Sequence, residues 1–89
     1  MNHLTQEMHG INLVIETGET TYIGRFDNNN GFQVSMHDCS IHAVESEEEN
    51  EAFIKQTAKY GVAVDQKDVV FDTASVKRVR VLGDISQEN

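Results

Sequence analysis

Between residues 11 and 43 three short stretches with a repeat of two follow one another almost without pause, broken only by Gly18 and Glu19 and then by Asp27, Asn28, Asn29, Asn30 and Gly31. Stretches this close in sequence pair as an antiparallel meander, and a short meander protects its edges by curling on itself. The expectation is a small barrel of strongly bent strands.

The parity of the side chains supplies the detail. Ile11, Leu13 and Ile15 alternate with Asn12, Val14 and Glu16, giving one buried face and one mixed face. Gly18 and Glu19 suit a type II′ hairpin leading into a return strand over residues 20–26. There Thr21 and Ile23 share one face and Tyr22, Gly24 and Phe26 the other, with Gly24 marking a bend or a close backbone approach. Residues 27–31 tolerate left-handed backbone and read as a second hairpin loop. In the third strand Phe32, Val34 and Met36 point inward and Gln33, Ser35 and His37 outward. Continuing that alternation would bury Asp38 and Ser40 and expose Cys39, Ile41 and Ala43, so one extra residue near positions 38–40 must reset the register.

A helix is expected over residues 46–60. Ser46 with Glu49 three residues later forms a capping box, and the early glutamates complement the positive end of the helix dipole. Phe53, Ile54, Thr57 and Ala58 line its apolar stripe, and Gly61 stops it. Val62, Ala63 and Val64 form a short apolar segment. Gln66, Lys67 and Asp68 then turn the chain into a fourth strand at Val69, Val70 and Phe71. Asp72, Thr73, Ala74 and Ser75 make a tight turn that lets Val76 plug the core, and Val79 and Val81 continue inward on a fifth strand. Residues 11–82 thus form the barrel of a single domain spanning 1–89, with flexible termini at 1–9 and 84–89.

With 89 residues, the core is thin. A single cysteine excludes an intramolecular disulfide, and the first seven residues lack the charged start and apolar run of a secretion signal. A cytoplasmic protein without a membrane span is the expectation. The formal charge of −8 repels polyanions at long range and favours basic partners. Its distribution is uneven, with an acidic block at Glu45, Glu47, Glu48, Glu49 and Glu51 and a basic one at Lys77, Arg78 and Arg80.

Candidate site residues fall into three groups. Asn28, Asn29, Asn30 and Phe32 could meet a nucleobase, with Lys77, Arg78 and Arg80 as a phosphate track, although turn chemistry and a solvated strand edge account for the same residues. His37, Cys39 and His42 carry zinc-binding side chains, with a fourth ligand from Asp38, His3, His9 or water, but their spacing is not that of a zinc finger. Val69, Val70, Phe71, Val79 and Val81 need a partner if their strands end at an edge. No cofactor motif, phosphate-cradling loop or catalytic constellation is present, so an enzyme is not expected.

The bent meander, the insertion before the fourth strand and the short turn between residues 71 and 76 together resemble the SH3-like small barrels, and among them the Sm-like proteins. That resemblance implies a five-stranded barrel with the helix inserted between strands three and four. It also implies self-association through the fourth and fifth strands and contact with single-stranded RNA through the loop after strand two and an Arg-Gly pair after strand four. The second of those loops is Asp72, Thr73, Ala74 and Ser75, which holds neither arginine nor glycine. The functional expectation is a binding or assembly module, a homo-oligomer with weak RNA affinity, or alternatively an acidic protein-interaction domain, with a metal-binding domain as the third reading.

Overall fold

The computed structural model describes residues 4–85. Its strands are β1 (Asn12–Glu16), β2 (Thr20–Asn29), β3 (Gln33–Ala43), β4 (Gln66–Asp72) and β5 (Arg78–Val81), with the helix α1 (Glu47–Tyr60) between β3 and β4. Single 3-10 turns lie at Gln6–Met8, Thr73–Ser75 and Leu82–Asp84. The strands form one antiparallel sheet in the order β4-β3-β2-β1-β5. The fold is therefore mainly β with one inserted helix.

The expected closed barrel is not formed. β4 and β5 are the two edges of the sheet, and among the described residues no ladder joins them. Closure would require β5 to pair through its second edge, and this strand has only four residues to offer. The sheet is nonetheless strongly curled. Tyr22 lies opposite Ile41 and Phe71 opposite Val34, seven residues apart along β3. In a flat sheet that offset is about 23 Å. The two rings instead stack with centroids 4.1 Å apart, so the sheet folds over between them.

Two irregularities produce the bend. Asp38 stands in the left-handed region at φ +53°, the extra residue in β3 that the change of parity demands. A second shift, at Asp27 in β2, carries no comparable signal in the sequence, since Asp27 falls where a loop was expected. Gly24 faces the first bulge. A Cβ there would lie 2.5 Å from Cys39 Sγ and 2.9 Å from both the Asp38 carbonyl oxygen and Cys39 Cα, so only glycine lets the strands approach this closely.

The curl encloses one core, made by Leu4, Leu13, Ile15, Phe26, Val34, Met36, Cys39 and Val69, with Tyr22, Ile41, Phe71, Val76, Val79 and Val81 packed against it. Every strand contributes. On the opposite face of the sheet Val14, Ile23, Ile54 and Leu82 form a second core beneath α1. Val14, on the mixed face of β1, is therefore buried too, while Asn12 beside it stays exposed. Ser46 caps α1 by accepting from the Glu49 amide at 3.1 Å, and Gly61, at φ +97°, ends it.

Several boundaries differ from the sequence reading. β2 runs on to Asn29, so its turn is shorter than residues 27–31. Gln66, Lys67 and Asp68 belong to β4, because Gln66 and Asp68 pair with Cys39 and His37. Ile11 is 39% exposed, just ahead of β1. Leu4, in the stretch expected to be flexible, is buried in the first core. Residues 1–3 and 86–89, with His3 among them, lie outside the described residues.

Candidate functional site

The asparagine loop is built mostly to hold itself. Asn29 Oδ1 accepts from the Gly31 amide and the Thr73 hydroxyl, and its Nδ2 donates to the Leu4 carbonyl. Asn30 Oδ1 accepts from the Phe32 and Gln33 amides at 2.9 and 2.8 Å. These are Asx-type bonds that shape the turn and tie it to the 3-10 turn after β4. Asn28 is exposed, and Phe32 is 82% exposed.

His37, Cys39 and His42 are not brought together. His37 projects outward, its Nδ1 2.8 Å from Asp68 Oδ1 and its Nε2 3.5 Å from Asp27 Oδ2. Cys39 is fully buried against Gly24. Burial, with the charge of Asp38 beside it, pushes the Cys39 thiol up to about 11, so it stays protonated at neutral pH and is neither a ready ligand nor a nucleophile. His42 stacks on Phe53 at 4.3 Å, with Nε2 2.6 Å from Glu49 Oε2 in a contact that is not aligned as a hydrogen bond. Among the described residues no three His, Cys, Asp or Glu side chains are grouped to hold a metal ion.

The three basic residues at the C-terminal strand separate as well. Lys77 lies over Gly18, and Arg78 is exposed with Nε 3.8 Å from Glu16. Arg80 turns beneath α1, where Nη2 donates to Glu16 at 2.9 Å and to Glu51 at 2.6 Å. A guanidinium held by two carboxylates is neutralised and turned away from any phosphate. The Arg80 hydrogen bond is the main cause holding the Glu51 carboxyl below its ordinary range.

This polar seam is the constellation that sequence reasoning misses. Thr21 donates to Asn50 Oδ1 at 2.7 Å, and Asn50 Nδ2 donates to Glu16 Oε1 at 3.2 Å, so Glu16 links Asn50 to Arg80. One signal was available: Asn50 is one helical turn before Ile54, which makes it a polar residue in the buried stripe. Beside the seam a cleft opens, lined by Glu16, Glu47, Glu48, Glu51, Lys55 and Arg78 among others.

The edge residues divide by face. Val69, Phe71, Val79 and Val81 point into the first core, whereas Val70 is 58% exposed on the outer side of β4. No described helix is long and apolar enough to cross a membrane. Compared with protein-family models, with curated proteins and with solved structures, the chain matches none.

Proposed function

We propose that this chain is a non-catalytic assembly module of the SH3-like, Sm-like kind, whose copies join through the edges β4 and β5. One observation carries the reading: among the described residues a single curled sheet leaves two strands without a second neighbour, and both edges contribute inward-facing side chains to the same core. Pairing between copies would satisfy the open backbone groups and continue that core across the junction. The position of the helix between β3 and β4 and the single 3-10 turn between β4 and β5 agree with the small-barrel arrangement.

RNA binding is the weaker part of this reading. Asn29 and Asn30 are occupied by the loop, Arg80 is neutralised, and the net charge is −8. Asn28, Phe32, Lys77 and Arg78 remain as exposed contacts. A second reading, an acidic surface meeting a basic protein, draws on exposed Glu47 and Glu48 at the start of α1.

Sedimentation velocity over a concentration series tests the proposal. A mass rising above 10.0 kDa with concentration is expected, and Val70→Lys, at an already exposed site, lowers the association without unfolding the protein. A single 10.0 kDa species at every concentration would overturn it. Retention of oligouridine at low salt that fades as salt rises would restore the RNA reading.

A further inference from the structure

Strand β5 is short and, among the described residues, has a neighbouring strand on one side only. Its ladder with β1 covers four residue pairs, from Leu13 with Val81 to Glu16 with Arg78. A strand this brief gains little from backbone bonding alone, and local opening starts at such edges. Val79 and Val81 tie it to the first core, and two further attachments at this end of the sheet involve α1.

The first is ionic. Arg80 on β5 is gripped between Glu51 on α1 and Glu16 on β1, and its side chain is only 20% exposed. Its Nε, also buried, makes no hydrogen bond among the described residues, so the two terminal nitrogens carry the whole grip. The second is apolar. Ile54, one turn along the helix from Asn50, packs in one cluster with Leu82, against which Ile85 also lies. The Thr21–Asn50–Glu16 relay fixes the helix to β1 and β2 at the same place. Helix docking and part of the placement of residues 78–85 thus share one set of contacts.

We propose that α1 is a clasp on the edge strand: the Arg80 fork, held by Glu51 and Glu16, keeps β5 laid along β1, and loosening that grip withdraws β5 as an assembly edge. The charged groups around the grip are Glu16, Glu51, Arg78 and Lys55, with Glu47 and Glu48 lining the same cleft. Because the carboxylates are partly open to water, added salt weakens the clasp more than it weakens the apolar contacts. The withdrawal of the assembly edge rests on the reading above, whereas the hold on β5 stands without it.

Hydrogen exchange on the full chain, followed residue by residue, tests this. In Glu51→Gln those amides of residues 78–81 that bond to β1 are expected to exchange about tenfold faster, the scale of losing one charge-assisted hydrogen bond. Exchange in β2 and β3 stays as in the wild type, and Glu48→Gln, a carboxylate on the same helix that does not touch Arg80, changes nothing. Arg80→Lys, which keeps the charge but loses the fork, falls between. High salt applied to the wild-type protein reproduces the effect at β5 without any substitution. Faster exchange spread evenly over the sheet, or no change at residues 78–81, overturns the clasp. A wild-type chain that is monomeric at every concentration removes the assembly role while exchange still judges the hold on β5.

Discussion

The two faces of the sheet are held by different chemistry. Inside the curl the buried side chains of the strands are apolar, from Leu13 and Ile15 through Phe26 to Val34, Met36 and Val69. Beneath α1, Val14, Ile23 and Ile54 share the space with Thr21, Asn50, Glu16 and Arg80. Apolar packing is tolerant of position, since many arrangements bury similar area. Hydrogen-bonded pairs are not, because each buried donor or acceptor left without its partner carries a penalty. The inner core therefore drives folding, and the seam fixes where the helix sits.

The contrast can be broken at its strongest point by deleting a ring. Phe26→Ala is expected to lower unfolding stability by about 3–5 kcal/mol, enough to leave a domain of this size largely unfolded in mild urea, while Ile54→Ala costs about 2–4 kcal/mol. Equilibrium denaturation of both variants checks the ranking. Equal losses at the two positions would erase the distinction between a driving face and a positioning face.

A smaller change sharpens it. Thr21→Val keeps the shape but leaves Asn50 Oδ1 without its donor, at a cost of about 1 kcal/mol in the same denaturation assay. Nuclear magnetic resonance shifts should move in α1 and β1 more than in the inner core. A response confined to β2 would mean that the seam does not transmit position.

The smallest effect is in pH. The Glu51 carboxyl is held below its ordinary range in the folded protein, chiefly by the hydrogen bond from Arg80. Its contribution is complete above the ordinary carboxyl value of the unfolded chain and is lost as pH falls through the lower folded value. Melting temperatures measured from neutral to acidic pH should therefore fall in that window, and Glu51→Gln should flatten this part of the profile. An unchanged slope in the variant would show that other carboxylates govern acid unfolding.

Much of the fold is legible in the order of residues because the inner face obeys one rule. Alternation of Leu13 with Ile15, of Val34 with Met36, and the parity break at Asp38 follow from the two-residue period of a strand. The cap at Ser46 and the stop at Gly61 are local and readable for the same reason. Closure was not legible, since whether β5 reaches β4 depends on pairings between residues far apart in the chain, which no local pattern specifies. The candidate site suffered similarly. Lys77, Arg78 and Arg80 look alike in sequence, yet the inserted helix covers one and leaves the others exposed. His37, Cys39 and His42 look like one cluster, and the bulge sends them to three different surroundings.

The contact between Cys39 and the bare α-carbon of Gly24 has a practical corollary. The chain's only sulfhydryl is shut inside the hinge of the bend, so an alkylating reagent must wait for that hinge to part. The protein thus carries its own breathing gauge, with the pace of maleimide labelling counting how often the fold unseals.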